Sequence, residues 1–134
     1  MLLVVNAGSS SLKFSLHRFH DHQVDSAWVS GSLQGLEPGG TPTLDWSMAG
    51  QSHHETLSVE PGDGFACALR RLRDWLREGP DMPALRAVAH RVVHGGSDFL
   101  QATRVTPEVM TQLATLNALA PLHQPHNLAG IRAF

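Results

Sequence analysis

Hydrophobic side chains near the amino terminus predict two strands joined by a tight turn. Residues 2–6 form a short, continuous apolar run, which suits a strand that is buried on both faces. From Leu12 to Leu16 the apolar residues occupy alternate positions, which is the period of a half-buried strand. The glycine and serines within 7–11 separate these segments and are typical of a turn.

Later segments extend the predicted sheet. We expect strands near 26–33, at 43–48 and at 55–59, the last two being joined through 49–54. Residues 85–93 form another apolar run, which predicts a further buried strand.

A helix is predicted between the fifth and sixth of these strands. Apolar residues from Phe65 to Leu76 recur at i, i+3, i+4 and i+7, the pattern of an amphipathic helix. Asp63 is a good N-cap, and the Gly-Pro pair at 79–80 should end the helix. Arginines occupy much of the other face and fit a solvated surface better than a nucleic-acid patch: Arg70, Arg71, Arg73 and Arg77.

Two more helices are predicted nearer the carboxyl terminus. Thr106 and Pro107 supply a cap and a first-turn proline, and this helix should run to about residue 117. A loop with two prolines follows at 120–127. The last helix should begin near Pro125 and still run at the final residue, so we expect the chain to stop inside an element.

Length and composition limit the classes of protein that fit. The chain has 134 residues, 42% of them hydrophobic, enough for one domain with its own core. A formal net charge of -2 argues against a general nucleic-acid binder. No apolar run approaches the ~20 residues of a membrane span, and the start lacks the basic region of a secretory signal. The single cysteine, Cys67, cannot form an internal disulfide, so we expect a cytoplasmic location.

Residues 6–13, Asn-Ala-Gly-Ser-Ser-Ser-Leu-Lys, carry the first candidate chemistry. Gly8 lets the backbone approach an anion closely, and successive N–H groups of such a turn can form a concave anion site. Lys13, the only lysine, adds a positive charge, and Asn6 can orient a metal-bound water or a phosphate. A plain hairpin with polar turn residues fits the composition as well. The stretch is not a Walker loop, because the Gly-x4-Gly-Lys pattern is missing.

A second candidate stretch is His-Arg-Val-Val-His-Gly-Gly at 90–96. Arg91 lies in an apolar strand and needs an anionic partner, which could be a structural carboxylate or a substrate phosphate. His90 and His94 would be separated by roughly 13 Å on a strand, which argues against a metal pair. The glycine pair permits either a sharp turn or the close approach of a ligand.

A third stretch, Leu-Ala-Pro-Leu-His-Gln-Pro-His-Asn at 119–127, is a loop stiffened by two prolines. It could form the wall of a pocket, or it could be an ordinary loop that only packs. The scattered spacing of the nine histidines in the chain does not favour a histidine-rich metal-binding domain.

The three stretches, in this order, resemble the acetate kinase family and its propionate and butyrate kinase relatives. Residues 6–13 and 90–96 match the family throughout, which favours acetate or propionate kinase, and 119–125 match except at Gln124. The resemblance implies an α/β fold, a mixed-sheet, ribonuclease-H-like domain of the actin, sugar kinase and Hsp70 ATPase superfamily. It does not distinguish acetate from propionate.

The resemblance also implies a reaction and a set of site residues. The reaction is ATP plus acetate giving ADP plus acetyl phosphate, with Mg²⁺. In this chain Lys13 and Arg91 would be catalytic, and Asn6 would lie toward the metal. The expected contacts to ATP or phosphate are Ser9, Ser11 and Lys13. The expected contacts to the acyl substrate are Arg91, Val93 and Leu122, and His123 would shape the loop at 119–127.

Members of that family are much longer than this chain and form homodimers. We therefore expect 1–134 to be the N-terminal acyl- and phosphate-binding domain, truncated, with the nucleotide-binding domain missing and with no activity alone. Its partners would be acetate, acetyl phosphate and ATP, not nucleic acid or a membrane. The alternative hypothesis is a non-catalytic binding or interaction module derived from this domain.

Overall fold

A single mixed sheet organises the chain. The computed structural model describes residues 1–21, 23–59, 63–78 and 83–134. Six strands form the sheet: β1 (Leu2–Ala7), β2 (Leu12–His20), β3 (Gln23–Gln34), β4 (Thr43–Met48), β5 (Gln51–Thr56) and β6 (Ala87–His90). Their spatial order is β5-β4-β3-β2-β1-β6, and neighbours are antiparallel except β6, which is parallel to β1. The predicted strand–turn–strand start and the strand at 43–48 are confirmed.

Three helices accompany the sheet: α1 (Gly64–Glu78), α2 (Pro107–Thr115) and α3 (Gln124–Ala133), with a short 3-10 helix at Leu116–Leu119. The hydroxyl of Thr106 caps α2 by accepting the N–H of Val109 at 3.3 Å, as the sequence predicts. The predicted helix end at 79–80 lies outside the described residues. None of the described helices is long and apolar enough to cross a bilayer.

The hydrophobic core lies between α1 and one face of the sheet. Because strand side chains alternate between faces, only one set of side chains in β1 and β2 points toward the helix. The expectation that β1 is buried on both faces is therefore wrong: every second residue of its apolar run is only half-buried. Trp75 of α1 packs against the rings of Phe14 and Trp46, with centroids 5.7 and 5.9 Å apart. The most deeply buried core side chains are Leu3, Val5, Leu12, Leu16, Val29, Leu33, Leu44, Ala68 and Leu72.

The opposite face of the sheet is polar. One cross-strand row contains Asn6, Lys13, Ser32, Asp45 and His54, in register from β1 to β5. Directly opposed residues share a face, so the site candidates Asn6 and Lys13 lie next to each other on the face away from the core.

Two arginines of α1 have acidic partners on the strand and loop beside the helix. Arg71 donates two hydrogen bonds, of 2.9 and 2.7 Å, to the carboxylate of Glu55 in β5. Arg70 donates to the carboxylate of Asp63 at 2.5 Å. Asp63 precedes the helix as predicted, and its main-chain carbonyl accepts the N–H of Cys67 at 2.9 Å. These pairs fit the expectation of a solvated face.

The predicted strand at 55–59 and its long connection at 49–54 are wrong. The strand β5 begins at Gln51 and ends at Thr56, because Ala49 and Gly50 alone make the turn, with φ of 51° and 79°. Two successive residues with positive φ match the twist of a hairpin. Alanine rarely adopts such a backbone conformation, so the composition of this turn did not reveal it.

The prediction of a buried strand at 85–93 is also wrong. The strand β6 covers only Ala87–His90, and its residues are exposed or half-buried. It pairs with β1 along one edge, and among the described residues no strand pairs with its other edge. Leu85 and Val93 are 42% and 45% exposed, because neither lies over the core.

Candidate functional site

A cleft of about 350 Å³ lies where three distant stretches of the chain meet. It is bounded by the turn after β1, the segment after β6 and the start of α3. Residues from all three candidate stretches line it: Asn6, Ala7, Gly8, Ser11, Lys13, Arg91, Val93, His123 and Asn127. The fold therefore brings together motifs that are far apart in the sequence.

The first wall of the cleft is the turn between β1 and β2. The N–H of Gly8 donates to the carbonyl of Ser11 at 2.8 Å and closes the turn. A Cβ at Gly8 would lie 3.3 Å from the same carbonyl, so glycine keeps the turn tight. Asn6 and Lys13 are direct cross-strand partners below it, and Lys13 is exposed. This wall presents one cation, an amide and a hydroxyl.

The second wall is the segment that leaves β6. The N–H of Arg91 donates to the carbonyl of Val5 at 2.9 Å, which holds this backbone beside β1. The ion pairs found in the described residues do not include Arg91 or Lys13, and no carboxylate lines the cleft. Arg91 follows the end of β6 and is exposed, so its charge does not require a buried carboxylate and is available to an external anion.

Asn127 connects the two walls, although it was not among the predicted site residues. Its Nδ2 donates to the carbonyl of Ala7, and its Oδ1 accepts the N–H of Val93 at 2.9 Å. The residue is 4% exposed. Its burial, which the sequence does not reveal, is the sign of its importance, since a buried amide needs hydrogen-bond partners.

Gln124, the departure from the family pattern, is a second buried amide on α3. Its Nε2 donates to the carbonyls of His94 and Leu113, at 3.0 and 3.3 Å. It therefore fastens the start of α3 to α2 and to the segment after Val93. Gln124 does not line the cleft.

The glycine pair forms a sharp turn behind the second wall. A Cβ at Gly95 would lie 2.3 Å from the carbonyl oxygen of Phe99. In addition, the N–H of Phe99 donates a hydrogen bond of 3.0 Å to the carbonyl of Gly95. Gly96 has a φ of 62°, and its N–H donates to Nδ1 of His94 at 2.9 Å. Neither glycine lines the cleft, so turn geometry accounts for both.

Two histidines near the site have perturbed acidities. Burial lowers the pKa of His90, which lies close to Gly130 and Phe134. Burial also lowers the pKa of His126, with a smaller contribution from the charge of His123. Since desolvation disfavours the imidazolium, both histidines are held toward the neutral form. Within the described ranges no three His, Cys, Asp or Glu side chains are grouped as metal ligands.

Most, but not all, of the predicted site residues meet in the cleft. The structure gathers Asn6, Ser11, Lys13, Arg91 and Val93, together with His123. The remaining two, Ser9 and Leu122, are not among the lining residues, and Leu122 is 71% exposed. The functional roles assigned to all seven residues, inside and outside the cleft, stay predictions.

Comparison with known sequences places the chain among the acetokinases. The profile of the acetokinase family matches residues 1–134. An acetate kinase of Rhodopseudomonas palustris is 40% identical over 99% of this chain and 33% of its own length. An acetate kinase of Deinococcus radiodurans is 41% identical over 98% of this chain and 31% of its own length. The chain thus spans about a third of the length of the curated relatives it matches.

Solved structures agree with the sequence comparison. A propionate kinase from Francisella tularensis superposes with a TM-score of 0.79 at 30% identity, over 98% of this chain and 32% of that chain. An acetate kinase from Porphyromonas gingivalis superposes with a TM-score of 0.76 at 30% identity, over 98% and 33% respectively. These neighbours confirm the predicted α/β fold of the actin-like ATPase superfamily.

Proposed function

The chain belongs to the acetokinase family, and from this membership we propose that it forms the acyl- and phosphate-binding part of a phosphotransferase. The reaction is ATP plus acetate giving ADP plus acetyl phosphate. The observation that carries the proposal is the cleft, which Lys13, Arg91 and the apolar residue Val93 line together, with no carboxylate among the lining residues. Such a cleft suits a small molecule with an anionic end and a short apolar end.

Arg91 and Val93 would bind the acyl substrate. A guanidinium can grip a carboxylate or a phosphate with two parallel hydrogen bonds, which fixes the orientation of the anion as well as its position. Val93 would contact the acyl methyl group, and Leu122, adjacent to the cleft residue His123, is proposed as the second apolar contact. One methylene is worth only ~1–3 kcal/mol in such a pocket, so propionate should be accepted in part.

The turn after β1 would bind the transferred phosphate. Phosphoryl transfer depends mainly on positioning and on neutralising negative charge, and Lys13 with the backbone N–H groups and the hydroxyls of Ser9 and Ser11 can supply both. Asn6 offers a neutral amide oxygen, which fits a contact through water to a hydrated Mg²⁺ that arrives with ATP. The ion, when bound, would neutralise phosphate charge.

We further propose that 1–134 act as the N-terminal domain of such an enzyme and do not turn over alone. The support is that the relatives are about three times as long as this chain. The complete enzyme would be a cytoplasmic homodimer that acts on small molecules. A non-catalytic module built on the same domain would bind the same anions without contributing to turnover.

Acetyl phosphate binding by the 134-residue chain tests the proposal. In calorimetric titration we expect Arg91→Ala to weaken binding about 10- to 100-fold, because hydrogen bonds to charged groups contribute ~1.5–3 kcal/mol. Arg91→Lys keeps the charge but loses the bidentate geometry, so it should recover only part of the affinity. Arg104→Ala, which removes an exposed arginine outside the cleft, is the matched control and should bind as the wild type does.

Two results would contradict the proposal. One is an absence of acetyl phosphate binding by the wild-type chain, and the other is equal binding by the wild type and Arg91→Ala. Turnover is measured separately, by trapping acetyl phosphate made from ATP and acetate as its hydroxamate. Turnover by the chain alone, abolished in Arg91→Ala, would refute only the claim that the chain is inactive by itself.

A further inference from the structure

We propose that Asn127 is a positioning residue that sets the width of the cleft, by inserting its side-chain amide between the end of β1 and the segment that follows β6. The inference rests on the proposed function, because it assigns the spacing between the phosphate-binding turn and the acyl-binding wall to this one side chain.

The hydrogen bonds between β1 and β6 show where the amide is inserted. The N–H of Arg91 donates directly to the carbonyl of Val5, at 2.9 Å. In a parallel pair the next bond of this kind lies two residues further along each strand, from Val93 to Ala7. Instead, the N–H of Val93 donates to Oδ1 of Asn127, and Nδ2 of Asn127 donates to the carbonyl of Ala7. The side chain thus replaces one direct backbone bond by two bonds in series.

This insertion separates the two backbones at the place where the cleft opens. Ala7 immediately precedes Gly8 of the phosphate-binding turn, and Val93 belongs to the acyl-binding wall. The contact joins residues 120 positions apart in the chain, so no local structure fixes this spacing. Because Asn127 is buried, breaking either bond leaves a desolvated polar group without a partner.

The chemistry of the site requires an amide. A side-chain amide combines an acceptor oxygen and a donor nitrogen in one rigid plane, which a carboxylate or an alkyl group does not. Asn127→Asp keeps an acceptor for the N–H of Val93 but places an oxygen against the carbonyl of Ala7. Asn127→Leu keeps a similar volume and removes both bonds. The two variants therefore break one connection and both connections, respectively.

The test compares a ligand that reaches both walls with one that reaches only the turn. We expect acetyl phosphate to bind about five- to tenfold more weakly to Asn127→Leu than to the wild type, because both hydrogen bonds that space the two walls are lost. Inorganic phosphate should change by less than about twofold, since this variant adds no charge to the cleft and keeps the turn that binds phosphate. A general loss of stability would weaken both ligands by the same factor, and that result, or no change for either ligand, overturns the proposal.

Gln124→Met is the matched control. Gln124 is also a buried amide on α3 and also makes two hydrogen bonds, both donated to carbonyls, but neither reaches the turn after β1. Its loss should therefore leave the ratio of the two affinities unchanged. A changed ratio in this control would show that general loosening of α3 accounts for the effect, and would overturn the special role of Asn127.

A measurement without ligand separates this proposal from the proposed function. Amide hydrogen exchange at Val93 should be at least about tenfold faster in Asn127→Leu than in the wild type, because the acceptor is gone. In Asn127→Asp, where the acceptor remains, exchange should stay close to the wild-type rate. If the wild type binds neither ligand, the proposed function fails, whereas unchanged exchange in Asn127→Leu refutes the inserted amide itself.

Discussion

Replacing Gly95 by alanine tests the packing behind the second wall of the cleft. An added Cβ would lie 2.3 Å from the carbonyl oxygen of Phe99 and 2.9 Å from its Cβ. Contacts of a real Cβ below 3.0 Å are essentially never seen, so the two segments must separate by about 0.7 Å. The oxygen belongs to the backbone, and a change of side-chain rotamer cannot relieve the overlap.

Two contributions set the expected magnitude. Forcing an extra carbon into a packed site costs ~1–3 kcal/mol. The hydrogen bond from the N–H of Phe99 to the carbonyl of Gly95 spans the same contact and would be weakened, at a cost of up to ~1 kcal/mol. Because the overlapping oxygen belongs to the backbone, the upper half of the first range applies, and we expect Gly95→Ala to lower the free energy of unfolding by about 2–4 kcal/mol.

Equilibrium unfolding in urea, followed by circular dichroism, measures this change. With an m-value of about 2 kcal/mol/M, the midpoint should fall by about 1–2 M. Gly50→Ala is the control, because Gly50 has a φ of 79° and its added Cβ would meet no atom within 4 Å. That variant should lose only the ~1 kcal/mol of a left-handed backbone. Equal losses in the two variants, or a Gly95→Ala midpoint within error of the wild type, would refute the steric argument.

Two further predictions concern stability. Hydrogen bonds from Arg71 lower the pKa of Glu55 below its ordinary value of 4.5. The pair therefore stabilises the fold fully at pH values above 4.5, and this stabilisation is lost as the pH falls through the lower pKa of the folded state. The difference in unfolding free energy between the wild type and Glu55→Gln should therefore be constant near neutral pH and shrink in acid; a difference that grows in acid would contradict it. Thr106→Ala removes the cap of α2 and should lower the free energy of unfolding by ~1 kcal/mol, whereas Thr106→Ser keeps the hydroxyl and should keep most of this stability. Equal losses of stability in thermal unfolding of the two variants would show that the hydroxyl does not act as a cap.

The elements with strong hydrophobic periodicity could be predicted from the sequence. A continuous apolar run located β1, alternation located β2, and the cap and proline at Thr106 and Pro107 located α2. The turn at Ala49 escaped prediction because a residue type that avoids positive φ occupies it. The length and exposure of β6 depend on what pairs with its edges, which local pattern does not record.

The candidate site was predicted as separate motifs rather than as a geometry. Arg91 and Lys13 were identified from charge in an unusual place and from a family resemblance, and both line the cleft. Asn127 was missed because its importance comes from contacts with Ala7 and Val93, which lie in other elements. Hydrophobic periodicity and local spacing contain no information about such a contact. It becomes visible only in the structure, where Asn127 is a buried amide with two hydrogen-bond partners.

The parallel pairing of β1 with β6 has a consequence for the order of folding. The strands β1 to β5 form a meander in which each strand pairs with its neighbour in sequence, so these contacts close short loops. The contact between Leu2 and Ala87 closes a far longer loop, and loop-closure entropy rises with length. The meander can thus assemble early, while the cleft exists only after β6 and α3 have docked. A ligand that binds the cleft would then stabilise the last step of folding and leave the earlier steps unaffected.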